Sequence, residues 1–176
     1  MAAALLLLLA AAVYRDCPAQ LLKEGTEIFA VDPGKVIELS YRAPGLRLIA
    51  SRWEVGDRFS IVFWEKKRPG PAFCPAGPGF EAVLKQLTSL KLRRTLDPGR
   101  AAEFFKEKPL STWDEVVIRD DSALEPFRAM ILPVSGVADE ALVHFHGSTY
   151  VVAFDAKVFQ LIAAGCKSLA GSNPNK

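Results

Sequence analysis

The strongest constraint on this chain is a stretch of period-two hydrophobicity cut by tight turns between residues 36 and 64. Ile37, Leu39 and Tyr41 alternate with Glu38, Ser40 and Arg42. Leu46, Leu48 and Ala50 alternate with Arg47, Ile49 and Ser51, and Trp53 closes that segment. Phe59, Ile61 and Phe63 alternate with Ser60, Val62 and Trp64. Alternate side chains of a strand point to opposite faces, so each segment is a strand with one buried side. Ala43-Pro44-Gly45 and the segment Glu54 to Asp57 leave room only for short turns. Three strands so joined must form an antiparallel meander. Ahead of them, Glu27 to Val31 reads as a short strand ending in a turn at Asp32-Pro33-Gly34.

The rest of the chain follows the same plan. Residues 66–79 hold Pro69, Pro71, Pro75 and Pro78 among three glycines, which predicts a loop with no regular element through it. Phe80, Val83, Leu84, Leu87 and Leu90 are spaced for one face of a helix running from about Phe80 to Arg94, its cationic last turn suiting the helix dipole. Asp97-Pro98 opens a second helix, with Ala101, Phe104 and Phe105 as its apolar side. Four strand segments follow: Val116 to Ile118, Phe127 to Val134, Ala141 to His146 and Thr149 to Phe154, the last two joined at Gly147-Ser148. Asp155 caps a final helix whose apolar face is Val158, Leu161, Ile162 and Leu169.

The order is strands then helix, twice. That predicts an α+β protein of antiparallel sheets with helices packed on one face, built from duplicated βββα units. The expected organisation is a leader at 1–20, a first lobe at 27–96, a connector helix at 97–112, a second lobe at 113–170 and a polar tail at 171–176. Leu84, Leu87, Leu161 and Ile162 are expected to meet Leu39, Phe59, Ile61 and Val152 in the core.

Ala2 to Val13 is an uninterrupted apolar run closed by Tyr14, Arg15 and Asp16. As a helix it rises about 18 Å, whereas a bilayer core of about 30 Å takes about 20 residues. It suits the apolar region of a signal peptide, with Ala10 and Ala12 as a small-x-small cleavage pattern, or a short membrane anchor. The expected location is therefore periplasmic or otherwise extracytoplasmic.

Composition excludes several classes. Half the residues are hydrophobic, enough for a sizeable core. Lys+Arg 22 against Asp+Glu 20 gives no field for a nucleic-acid binder. Three cysteines make no disulfide-dense scaffold, although a Cys17–Cys74 bridge could form outside the cytoplasm; the spacing leaves the pairing open. No phosphate loop, dinucleotide fingerprint or Gly-x-Ser-x-Gly elbow occurs.

The residues that could carry chemistry are few. His144 and His146 are two apart on a predicted strand and so share a face, where a distant carboxylate could complete a metal site; strand alternation explains them as well. Asp114, Glu115, Asp120 and Asp121 flank the strand at Val116 and are expected to face water as turn and cap residues. Lys66-Lys67-Arg68 and Lys91 to Arg94 are two basic clusters that read as a solvated strand end and helix end, or as a surface that meets anionic headgroups. Trp53, Trp64 and Trp113 could supply stacking surfaces if they share a cleft. We expect no catalytic residue, no metal and no cofactor.

An N-terminal apolar segment followed by Phe29-x-x-Asp32-Pro33-x-x-Val36, a hairpin ending in Trp53, a Pro-rich loop, Val83-Leu84-x-x-Leu87-x-x-Leu90 and Ala101-x-Glu103-Phe104 resembles the bacterial domain of unknown function 4340 family. Phe105 stands where that family often has Gly-Leu. The resemblance implies an extracytoplasmic, N-terminally anchored protein, often encoded beside gliding-type ABC-transporter genes. It implies no catalytic residues. The expected role is a non-catalytic accessory protein of a membrane complex, or one acting through self-association, with contact to the membrane surface and none to nucleic acid. The alternative is a small-ligand or glycan-binding module.

Overall fold

The structure is a computed structural model that describes residues 23–171 apart from 55–56, 68, 97, 123–124, 135–138 and 156, and apart from the side chains of Pro98, Arg100, Ala101 and residues 167–171. The expectations for Ala2 to Val13, Cys17, Arg68, Asp97, the Ala101 and Leu169 side chains and the tail lie outside the described residues.

Among the described residues, ten strands and three α-helices follow in the order β1 (Glu27–Ala30), β2 (Val36–Ala43), β3 (Leu46–Ser51), β4 (Ser60–Glu65), β5 (Ala72–Pro75), α1 (Pro78–Leu87), β6 (Ser89–Thr95), α2 (Pro98–Glu107), β7 (Asp114–Asp120), β8 (Phe127–Pro133), β9 (Glu140–Phe145), β10 (Ser148–Ala153) and α3 (Val158–Gly171). The α+β class holds. The duplicated βββα lobes do not: all ten strands lie in one sheet, in the order β1-β6-β10-β9-β8-β7-β2-β3-β4-β5. Two four-strand meanders, β2 to β5 and β7 to β10, meet where β2 pairs antiparallel with β7, Leu39 opposite Ile118 and Tyr41 opposite Val116. That edge-to-edge pairing puts residues of both meanders in one core.

The sheet is strongly curled. β1 and β8 are four places apart in the sheet, about 19 Å if it were flat, yet the rings of Phe29 and Phe127 stack at 3.6 Å. The inner face packs Leu39, Leu48, Ile61, Val116, Val143 and Val152 against Phe80, Leu84 and Leu87 of α1 and Phe159 and Ala163 of α3. Leu142 and Val151 point the other way and join Trp113 in a second cluster, covered by Phe104 and Phe105 of α2. The helices therefore occupy both faces, not one. The sequence already contains the reason: consecutive buried residues at 141–143 and 151–152 cannot all face one side of a strand.

Four local readings change. The helix expected over 80–94 ends at Leu87, where the Thr88 hydroxyl donates to the Leu84 carbonyl at 2.8 Å. Leu90 and Leu92 then continue as inward residues of β6, so Leu90 matched the helical spacing by coincidence. The Pro-rich loop contains a strand, β5, which lies at the sheet edge, where Pro71 and Pro75 forfeit no central ladder bond. The β9–β10 turn is His146-Gly147, with φ of 48° and 75°, the left-handed pair that a two-residue hairpin requires. Finally, α3 is rotated from its expected face. Phe159, Ala163 and Cys166 are buried, Ile162 is half-buried and Leu161 is 67% exposed. Stacking of Phe159 on Tyr41 at 3.9 Å sets that rotation.

Leu87 is fully buried between α1 and the sheet. Truncation to Ala should cost about 2–5 kcal/mol in chemical denaturation. A cost below about 0.5 kcal/mol would place this face of α1 in solvent.

Candidate functional site

Three features of the inner face bear on chemistry. The first is a pair that sequence separation hides. Tyr41 on β2 donates its hydroxyl to Asp114 Oδ2 on β7 at 2.6 Å, across 73 residues. Asp114 was expected to flank a strand and face water. Instead it is the first residue of β7, on the same side as Val116 and Ile118, and half-buried. Burial raises its carboxyl above the usual range, and the Tyr41 bond opposes that only in part. Burial, with the bond to Asp114 and that residue's charge, holds the Tyr41 phenol far above its ordinary value. Tyr41 therefore stays protonated and acts as donor. Its ring is buried and stacked on Phe159, so the pair braces α3 against the sheet.

The second feature is covalent. Cys74 of β5 and Cys166 of α3 form a disulfide across 92 residues, with Cα atoms 5.4 Å apart. This replaces the Cys17–Cys74 pairing. The expected loop around Cys74 is the edge strand β5, and its inward side chain meets α3 at Cys166.

The third feature is an apolar cleft of about 390 Å³ between α1 and α3. Phe80, Val83, Leu161 and Ile162 line its walls, and Ile61 and the disulfide form its floor. Gln86 is its one polar side chain. Gly77, Gly79 and Gly165 put no side chain into it, and a Cβ at any of them would meet open space.

The residues singled out by sequence are dispersed. His144 is on β9, its Nδ1 3.0 Å from Thr149 Oγ1 and its ring edge-on to Phe105. His146 is not on the strand but in the following turn, so the two imidazoles share no strand face. Glu115 lies within β7 and accepts from Arg128 of β8, a cross-strand pair and not a turn or cap bond, whereas Asp120 accepts from the backbone and hydroxyl of Ser122, a local bond of the expected kind. Among the described residues, no group of three or more His, Cys, Asp or Glu could hold a metal ion.

Lys66 and Lys67 follow β4, whereas Lys91 to Arg94 sit on β6 and not at a helix end; seven strand positions separate β4 from β6 in the sheet order. Trp113 is buried, its Nε1 donating to the Lys108 carbonyl at 3.1 Å. Trp53 is 98% exposed beyond the end of β3. Trp64 faces Arg47 at the opposite end of the β3–β4 hairpin. The three indoles form no common cleft. Among the described residues no helix is long and apolar enough to cross a membrane.

Comparison with protein-family descriptions, with curated proteins and with solved structures returns no match.

Two measurements follow from the geometry. Because the Asp114 carboxyl titrates higher in the folded than in the unfolded state, the native protein holds more protons between those two values. Stability contributed at this site therefore falls as pH rises from the ordinary carboxyl value of about 3.9 through the raised one. Asn at 114 still accepts from Tyr41 but carries no charge. The stability of Asp114→Asn relative to the parent should climb with pH over that interval, and a pH-independent difference would show Asp114 to be as well solvated folded as unfolded. The disulfide closes a 92-residue loop, so Cys166→Ser should cost about 2–5 kcal/mol. Reductant should lower the melting temperature of the parent and leave that of the variant unchanged.

Proposed function

We propose that this chain is a non-catalytic extracytoplasmic protein that works by binding, as an accessory component of a membrane complex. The observation that carries the location is the Cys74–Cys166 disulfide. Disulfides that tie a core helix to a sheet persist in oxidising compartments and are rare where glutathione and thioredoxin reduce thiols. The apolar run Ala2 to Val13 agrees with it, since such a segment directs export or tethers a domain to a membrane. The resemblance to the domain of unknown function 4340 family agrees as well and supplies the transporter-associated setting. A binding role also fits the surface. Trp53 stands almost fully exposed beside a hairpin, and exposed indoles are enriched where proteins meet partners.

A second reading has its own observation. The apolar cleft between α1 and α3 favours a ligand-binding module. Within that reading, the dispersal of the indoles argues for an apolar ligand and against a glycan stacked on several rings.

Export is tested by fusing residues 1–20 to a reporter active only outside the cytoplasm and by blocking thiols in cells before lysis. We expect an active reporter and Cys74 and Cys166 protected from alkylation until reductant is added. A silent reporter with both thiols free would place the protein in a reducing compartment and end this reading.

A further inference from the structure

The outer face of β2 to β5 carries two rows of side chains. α1 and α3 pack on the opposite, inner face, and α2 covers Leu142 and Val151 further along the outer one. In the first row, Arg42 of β2 stands opposite Arg47 of β3, and Arg47 stands opposite Trp64 of β4. The Arg47 guanidinium lies over the Trp64 ring, 5.1 Å from its centre. In the next row, Ile49, Val62 and Phe73 follow one another across β3, β4 and β5. Phe73, on the edge strand, is 66% exposed.

Like charges directly opposite on one face of a sheet destabilise it. Arg42 and Arg47 are so placed, both exposed, and among the described residues neither is in an ion pair. Glu115, opposite Arg42 on β7, accepts from Arg128. The same end of the sheet gathers further cations. The Lys66 amide donates to the Gly45 carbonyl in the turn between the two arginine strands, Lys67 follows, and both lysines are exposed. Glu65 precedes them at the end of β4. Asp114 is bonded to Tyr41 on the inner face, and Glu38 lies further along β2, opposite Arg119. Two single arginines and a lysine pair, scattered along the chain, thus become one basic patch through the register of β2, β3 and β4.

An anionic partner turns this repulsion into attraction. The second row says which kind. An acidic protein segment would answer the cations alone, whereas an anionic bilayer sets phosphates directly above hydrocarbon. Arg and Lys lay their apolar stems along such a boundary with their heads at the phosphates, and indole rings settle in it. Lysines on flexible stems suit a field spread over many headgroups more than one fixed anion. We infer that the outer face of β2 to β5, at its Pro44-Gly45 end, is the surface by which this protein rests on an anionic bilayer. Trp64 and Phe73 enter the headgroup layer, and Arg42, Arg47, Lys66 and Lys67 meet its phosphates. This rests on the membrane-associated reading above and names its contact face; vesicle binding by purified protein does not report on export, so the two fail separately.

The test is partition of the purified full chain into vesicles of phosphatidylglycerol and phosphatidylcholine in equal parts, compared with phosphatidylcholine alone. We expect at least tenfold tighter partition into the anionic vesicles, falling toward the neutral value as salt rises from about 0.1 M to about 0.5 M. The double variant Arg42→Gln, Arg47→Gln removes opposed charges, so it should keep or raise the parent's melting temperature. It should weaken anionic partition about tenfold or more. The double variant Lys91→Gln, Arg94→Gln removes as much charge from the exposed cluster on β6 and should leave partition within about twofold of the parent. The apolar run Ala2 to Val13 is common to every comparison. A second readout belongs to the face itself. With Trp53→Phe, the remaining indoles are Trp64 and the buried Trp113, and brominated acyl chains in the anionic vesicles should quench Trp64. The inference is overturned if the two vesicles are not distinguished, which would assign the arginine row to an acidic protein segment. It is equally overturned if the folded arginine variant partitions like the parent, if the β6 variant loses as much, or if Trp64 is not quenched.

Discussion

The pairing of β2 with β7 is the constraint on which the rest of the molecule depends. Each strand opens a meander, and each alone would present a row of unpaired amides and carbonyls, a template for unwanted association. Pairing them in register, Leu39 to Ile118 and Tyr41 to Val116, removes both edges and makes one apolar face out of two. That joint face is broad enough to curl, and the curl brings Phe29 of β1 onto Phe127 of β8. It also decides where the polar exception falls. Tyr41 and Asp114 meet only because the first strands of the two meanders lie side by side.

On that face, α3 is positioned by two contacts of different kinds. Phe159 stacks on Tyr41 near the start of the helix, and Cys166 is bonded to Cys74 further along it. The stack sets the helix rotation and the disulfide fixes its lateral position against β5. Together they leave Leu161 outward and hold the helix at a distance from α1, with glycines where larger side chains would close the gap. The cleft is thus a consequence of how α3 is restrained. A helix free to minimise its exposed apolar surface would turn Leu161 inward, because burying a leucine is worth roughly 1.5–3 kcal/mol. Turning it inward would carry Phe159 off Tyr41 and strain the bond from Cys166 to Cys74, so these two contacts hold the helix as it is.

Local pattern made much of this legible. The strands β2, β3 and β4 announce themselves through period-two alternation, because a half-buried strand must alternate whatever it pairs with. The Pro44-Gly45 turn follows from its residues: Gly45 has φ of 87°, a conformation that side chains resist. The apolar sides of α1 and α2 are also correct through Phe80, Leu84, Leu87, Phe104 and Phe105. Where two periods coincide, pattern misleads. Leu84, Leu87 and Leu90 fit a helix, Leu90 and Leu92 fit a strand, and only the partner strands of β6 decide between them.

The sequence by itself therefore determined the elements that carry their own signal: alternating strands, turn residues with special backbone angles, and helices with one apolar stripe. The tertiary structure decided everything that needed a partner. It joined two meanders into one sheet, because burial rewards a shared apolar face more than two separate ones. It put α2 on the outer face, because Leu142 and Val151 needed cover there. It chose Cys166 for Cys74, because only folding brings sulfurs 92 residues apart within bonding reach. It placed Asp114 against Tyr41 for the same reason. Such sites are formed by residues distant in the chain, and spacing along the chain carries no trace of a distance that the sheet alone sets.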